Sequence, residues 1–208
     1  MRGIFISLEG SDGSGKSTLV HGLRERVRQA GLDMDFTREP GGTPIGEEIR
    51  DILLDNRNTE MDPHCEALLY AAARAQHTSQ RIRPNLDRGR HVFTERFVLS
   101  SLAYQGYARD LGIPEVEAIN DFATGGLRPD LILYMDADPL DLLKRKENQG
   151  ETDRLEKSGM DFFRRIREGY EKAIEASNQV YRVDALAPPE EILEACWQTI
   201  LERIEALS

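Results

Sequence analysis

The sequence predicts one α/β domain built on a parallel sheet. Short apolar runs of strand character alternate with longer segments of helical period along the 208 residues. Parallel strands need that alternation, because the chain must cross back over the sheet between them. A glycine-rich stretch follows the first apolar run directly and opens a helix. No repeat, low-complexity tract or linker divides residues 1–208, a length that suits a single core.

Each element has its own signal. Ile4–Leu8 is a short apolar run and reads as a buried parallel strand. Gly10–Gly15 is a loop. Leu19, Leu23 and Val27 recur four apart, so Lys16–Ala30 reads as an amphipathic helix that Gly31 stops. Met34–Thr37 is a second strand, and Pro40-Gly41-Gly42-Thr43-Pro44 must be a loop. Ile45–Leu54 has a helical pattern, and Pro63 opens a long helix predicted to reach about Arg83. His91–Thr94 is a third strand after the turn at Gly89. Leu99–Tyr107 and Pro114–Thr124 read as helices, and Leu131–Met135 as a fourth strand. Asp138-Pro139 caps a helix predicted to end near Gly150, before a polar loop at 147–154. A further helix to about Ser177, a strand at Val180–Val183 and an amphipathic helix at Pro188–Leu207 complete the chain. Residues of about 146–156 are expected to act as a lid on the one domain.

Composition narrows the partners. Lys and Arg number 27 against 37 Asp and Glu, a net charge of −10. So acidic a chain is a poor general binder of nucleic acid or anionic membrane. No apolar run approaches the roughly 20 residues of a membrane span. Met1–Leu8 is basic and then apolar, but Glu9 follows at once and no small-residue cleavage site comes after, so a secretory signal is not expected. Cys65 and Cys196 form no close pair and read as free core thiols of a reducing, cytoplasmic protein. His21, His64, His77 and His91 have no metal-ligand spacing.

The loop Gly10-Ser11-Asp12-Gly13-Ser14-Gly15-Lys16-Ser17 matches the phosphate-loop pattern G-x-x-x-x-G-K-[ST]. Glycines let the backbone wrap a phosphate, and the helix N-terminus turns its free N–H groups toward the anion. Residues Gly10 to Thr18 therefore form a candidate nucleotide cradle. Lys16 is placed for the β- and γ-phosphates, and Ser17 for Mg²⁺. A GTPase would add an Asn-Lys-x-Asp guanine motif, which the sequence lacks.

Several further segments carry a resemblance. They are Thr37-Arg38-Glu39-Pro40-Gly41-Gly42-Thr43, Leu69-Tyr70-Ala71-Ala72-Ala73-Arg74, Glu95-Arg96-Phe97 with Ser100-Ser101-Leu102-Ala103-Tyr104-Gln105-Gly106, Arg128-Pro129-Asp130-Leu131, and Asp153-Arg154. With the phosphate loop they resemble, in order and over residues 3 to about 185, the thymidylate kinase family. The resemblance implies a P-loop three-layer sandwich of the nucleoside-monophosphate kinase type, with a five-stranded parallel sheet and a helical lid. It implies that ATP, with Mg²⁺, phosphorylates dTMP to dTDP on the way to dTTP, and that the protein is a homodimer. A kinase of another pyrimidine monophosphate is the nearest alternative, and a nucleotide-binding protein without turnover is a different class.

The resemblance also implies roles. Asp12 would accept the 3′-hydroxyl of dTMP, although a solvated loop aspartate is the plain reading. Arg38 and Arg96, each just past a strand end, would grip the dTMP phosphate, the alternative being surface arginines. Tyr70 and Arg74 lie four apart on one helix face, for stacking on thymine and donating to its carbonyl; Tyr70 also reads as core. Ser101 would meet the base edge, Tyr104 would crowd the 2′ position, and Gln105 would assist. Arg145 would stack on adenine or be a solvated helix arginine.

Two departures from the family pattern matter. Glu95 stands where the family usually has Asp to organise Mg²⁺; it either serves the metal or swings out to pair with an arginine. The phosphate loop offers Gly13 rather than arginine, which makes Arg154 the leading lid catalyst, with Lys144, Arg145 and Lys146 behind it.

Overall fold

The computed structural model describes residues 2–138, 140–142, 160–175, 177 and 179–207. The expected lid at 146–156, with Arg145 and Arg154, lies outside the described residues. The sheet has five strands: β1 (Phe5–Gly10), β2 (Met34–Arg38), β3 (His91–Glu95), β4 (Leu131–Asp136) and β5 (Val180–Asp184). All are parallel, in the order β2-β3-β1-β4-β5. The chain leaves the central β1 toward β2 and β3 on one side and reaches β4 and β5 on the other. Open α/β sheets bind ligands beyond the carboxyl ends of strands where the winding reverses in this way.

Alternation along β1 sends side chains to two separate cores. Phe5 packs with Phe97, Val98, Tyr134 and Tyr170 on one face. Ile4, Ile6 and Leu8 pack on the other with Leu19, Leu23 and Val27. Those three leucine and valine side chains lie on helix α1 (Lys16–Ala30), as the fourfold spacing requires, and Gly31 closes α1 in the left-handed region at φ 66°. Helices on both faces of the sheet give three layers.

The remaining helices are α2 (Pro44–Leu54), α3 (Pro63–His77), α4 (Arg83–Asp87), α5 (Val98–Ser101), α6 (Ile113–Thr124), α7 (Met160–Glu175) and α8 (Pro189–Leu207). Thr43 caps α2 by accepting from Gly46 N–H, and Asp62 caps α3. The long helix opened by Pro63 runs to Asp87 rather than to Arg83, through wider π-type turns at Thr78–Ile82. A second such stretch, Leu102–Ala108, follows α5. Side-chain period alone does not register the extra residue that a π turn admits.

One expectation needs correction: Cys65 is exposed in the first turn of α3, and only Cys196 is buried. Among the described residues no helix is long and apolar enough to cross a membrane.

Candidate active site

The carboxyl ends of β1, β2 and β3 lie side by side, with Leu8 and Arg38 both registered against Glu95. The phosphate loop leaves β1 there. Gly10 (φ 139°) admits no side chain, since a Cβ would come within 2.8 Å of Met135 O. Lys16, at the start of α1, is buried, and its Nζ donates to Gly10 O at 3.0 Å and Ser11 O at 2.8 Å. Burial, together with the Arg96 guanidinium, pulls its ammonium down to about 8. Ser17 and Thr18 are exposed in the first turn of α1.

A cleft beside the loop gathers the predicted acceptor residues. Asp12, Arg38, Glu95 and Arg96 line it together with Tyr70, Arg74, Ser101, Tyr104 and Gln105. Arg96 links the phosphate loop to this cleft. Its backbone sits at φ 67°, a left-handed conformation that costs a bulky residue about 1–3 kcal/mol and is kept only where the surroundings over-determine it. The surroundings do so here. Arg96 Nη2 donates to Asp12 Oδ1 at 2.7 Å, Nη1 donates to Ser100 Oγ at 3.1 Å and to Tyr170 Oη at 3.3 Å, and the guanidinium lies 5.2 Å from the Tyr104 ring centre. Asp12 is therefore paired with Arg96 and is also 3.8 Å from Lys16, not a free loop carboxylate.

Arg38 is half-exposed and donates to Pro40 O at 3.0 Å and to Glu47 on α2 at 2.9 Å. The Glu95 carboxylate makes no hydrogen bond or ion pair among the described residues, so the arginine-paired alternative is not seen there; its charge instead acts on Lys16. Tyr70 is half-buried, lining the cleft while packing on the core. Gln105 is buried, and its amide donates to Glu66 at 2.9 Å. Arg74 is 2% exposed and heavily engaged. Nε donates to Glu39 at 2.7 Å, Nη1 to Ser101 Oγ at 2.9 Å and to Asn120, and Nη2 to Phe97 O at 2.9 Å.

Sequence reasoning missed the supports of these groups. Glu9, fully buried in β1, accepts from Phe97 N–H at 2.8 Å and from Ser100 Oγ at 2.5 Å. Burial pushes its carboxyl up to about 7 against the opposing pull of Ser100 and Arg96. A charge inside an apolar strand was the available signal. Tyr170, on α7, donates to or accepts from Ser100 at 2.9 Å and accepts from Gly10 N–H at 3.3 Å, tying α7 to the phosphate loop. Glu39 stood inside a quoted motif, but its buried ion pair with Arg74 had no local signal.

A second cleft lies on the far side of the phosphate loop, between Gly13–Gly15, Thr18 and Gly22 of α1, and Ala185, Ala187, Pro189 and Leu193 of the β5–α8 corner. Its apolar lining suits a flat heterocycle. Among the described residues no cluster of three His, Cys, Asp or Glu side chains could hold a metal unaided. The exposed Ser17 hydroxyl and the Glu95 carboxylate, which takes no hydrogen bond among the described residues, are hard oxygen donors of the kind Mg²⁺ takes alongside phosphate oxygens and water.

A parallel sheet with a phosphate loop on its central strand, whose Asp12 lines one cleft and whose Gly13–Gly15 line another, defines a P-loop nucleotide-binding protein. The comparisons carry this further. The sequence profile described as thymidylate kinase matches residues 8–196. The thymidylate kinase of Geobacillus sp. (strain WCH70) is 46% identical over 208 residues, spanning 99% of each chain. That of Lactobacillus helveticus (strain DPC 4571) is 47% identical over 211 residues, spanning 98% of each, and that of Finegoldia magna (strain ATCC 29328 / DSM 20472 / WAL 2508) is 43% identical over 200 residues, spanning 96% of this chain and 98% of its own. The chain belongs to the thymidylate kinase family.

Proposed function

We propose that this protein transfers the γ-phosphoryl group of ATP to dTMP, releasing ADP and dTDP for dTTP synthesis. One observation carries the reading: Asp12, Lys16 and Arg96 are a single charge cluster at the junction of the phosphate loop and the acceptor cleft. A donor phosphate gripped by the loop and an acceptor phosphate gripped by Arg96 would meet there. No covalent enzyme intermediate is required. The work is positioning and neutralisation of charge that spreads over the transferring group.

The proposed roles are specific. Backbone N–H groups from Gly10 to Thr18 and the Lys16 ammonium hold the donor phosphates. The apolar cleft at Ala185 and Leu193 takes adenine, with Arg145 over it. Arg96 and Arg38 hold the acceptor phosphate, and Asp12 the 3′-hydroxyl. Tyr70 stacks on the base, Arg74, Ser101 and Gln105 read its edge, and Tyr104 crowds the 2′ position. Ser17 and Glu95 would hold Mg²⁺, whose bound charge offsets that of the phosphates. Arg154 is the proposed lid cation. A cytoplasmic location fits an enzyme fed by soluble nucleotides. A homodimer fits the exposed apolar side chains Ile45, Ile52, Leu68 and Phe122 on α2, α3 and α6.

The test is a coupled assay of ADP release with dTMP, dUMP, dCMP, UMP and AMP as acceptors. The expected order places dTMP first and dUMP behind it by the roughly 1–3 kcal/mol that one methyl group is worth in a pocket. dCMP should be rejected more strongly, because its amino group would face the Arg74 donor. Equal kcat/KM for dCMP and dTMP would overturn the base assignment.

A further inference from the structure

Behind the cleft, a chain of polar side chains leads away from Arg74 through buried Glu39 and His77 to the half-buried Thr37. Glu39 is 4% exposed and His77 is 0% exposed. Glu39 Oε2 accepts from Arg74 Nε at 2.7 Å, and its other oxygen, Oε1, lies 2.8 Å from His77 Nδ1. The far ring nitrogen, His77 Nε2, lies 2.8 Å from Thr37 Oγ1. A carboxylate oxygen can only accept, so His77 Nδ1 carries the hydrogen of that bond. The backbone closes tightly over the far end. Gly42 sits at φ 78°, and a Cβ there would come within 2.6 Å of His77 Nε2 and 2.7 Å of Thr37 Oγ1.

A guanidinium has five N–H groups. Four on Arg74 are spent on Glu39, Ser101, Asn120 and Phe97 O, which leaves one Nη2 hydrogen without a bond among the described residues. A carboxylate beside an arginine ordinarily takes two parallel N–H bonds. Here it takes one, because its second oxygen is held by His77. Without that hold, Glu39 would be free to turn and take a second N–H from the same guanidinium, drawing Arg74 away from the cleft it lines.

We propose that His77 is a positioning residue for base selection: it keeps Glu39 on a single edge of Arg74, so that one guanidinium N–H stays available to the cleft. The inference rests on the reading that Arg74 meets the base. His77 touches no substrate. Its contribution falls on acceptor binding and on discrimination between carbonyl and amino groups at the base edge, not on the phosphoryl-transfer step.

Two amides separate this role from mere packing. In His77→Asn the amide nitrogen falls near the place of Nδ1 and keeps the donor to Glu39. In His77→Gln the amide falls near Nε2 and withdraws that donor. The measurement is kcat and KM for dTMP and dCMP with wild type, both variants, and Arg74→Lys. His77→Gln should raise KM for dTMP about tenfold, the worth of one hydrogen bond of about 1.4 kcal/mol, with kcat held and the dTMP-to-dCMP preference narrowed. His77→Asn should restore both KM and preference. If Arg74→Lys loses the preference while His77→Gln keeps wild-type KM and preference, the inference falls and the base reading stands. If neither variant moves the preference, the base reading falls and the inference with it. Equal losses of kcat in both His77 variants with an unchanged preference would make the histidine packing only.

Discussion

At the scale of single residues, the site is built by burying charge. Glu9 shows the cost most plainly. It sits in β1 with no exposed surface, accepts from Phe97 N–H and Ser100, and through Ser100 shares a partner with Arg96. Burial raises its carboxyl from 4.5 to about 7. A folded-state value above the unfolded one means that the native state holds the proton more tightly. That contribution to stability is complete below about pH 4.5 and is lost as pH rises through about 7. By linkage the loss is on the order of 3 kcal/mol. Glu9→Gln keeps the shape and the acceptor for Phe97 N–H but cannot ionise. Melting temperatures of the two proteins should therefore converge near pH 5, and the variant should become the more stable as pH rises to 8. Parallel melting curves across that range would show that Glu9 does not titrate in the fold.

Single residues were also where the sequence said most and least. Asp12, Lys16, Arg74, Arg96, Ser101 and Tyr104 were legible because each belongs to a short local pattern, and the structure gathers them at one cleft and loop. Their supports were not legible. Glu39 and Arg74 are 35 positions apart, and Glu9 and Ser100 are 91 apart, so no window of sequence contains both members of either pair. The burial of Arg74 was not legible for the same reason: Glu39 in the loop after β2 and Asn120 on α6, which hold it, lie far from it in sequence.

Elements were placed well in kind and less well at their ends, and the errors share a cause. Each strand continues past its apolar run into a polar terminus: Glu9-Gly10 for β1, Arg38 for β2, Glu95 for β3, Asp136 for β4 and Asp184 for β5. Strand recognition by apolar runs stops where hydrophobic burial stops, but the backbone ladder continues to the site. Glu95 owes its position to this. As the last residue of β3 it is held by pairing to both Leu8 and Arg38, so its carboxylate emerges between the phosphate loop and the acceptor cleft. A carboxylate beside polyphosphate is repelled unless a cation lies between them. Glu95→Gln should therefore lower kcat and move the Mg²⁺ activation curve to higher concentration, whereas Glu95→Asp should keep activity. The curves are read by titrating Mg²⁺ at saturating ATP and dTMP. A Gln variant with wild-type kcat and an unmoved curve would remove Glu95 from the metal's surroundings.

For the molecule as a whole, the charge of −10 and the exposed apolar face of α2, α3 and α6 pull in opposite directions. Helix α3 packs against both α2 and α6, and all three carry exposed apolar side chains. Phe122 is 92% exposed there, with Leu68 on α3 and Ile45 and Ile52 on α2. Two copies meeting on this face would bury it at a gain of roughly 25 cal/mol per Å², and a stable interface takes roughly 800 Å² from each partner. Like charge opposes the approach, but that repulsion is screened beyond about 8 Å at physiological salt. A dimer formed on this face should therefore tighten, not dissolve, as salt is raised from about 20 to about 300 mM. Phe122→Glu places a charge on the apolar face at its most exposed side chain, where it would be buried unpaired on assembly. Sedimentation velocity at micromolar protein should find wild type as a dimer and the variant as a monomer. Because Asn120, which holds Arg74, lies two residues before Phe122 on α6, KM for dTMP in the variant would report whether an interface on this face also steadies the proposed base pocket. A wild-type monomer, or a Phe122→Glu dimer of unchanged affinity, would show that this face does not join two copies.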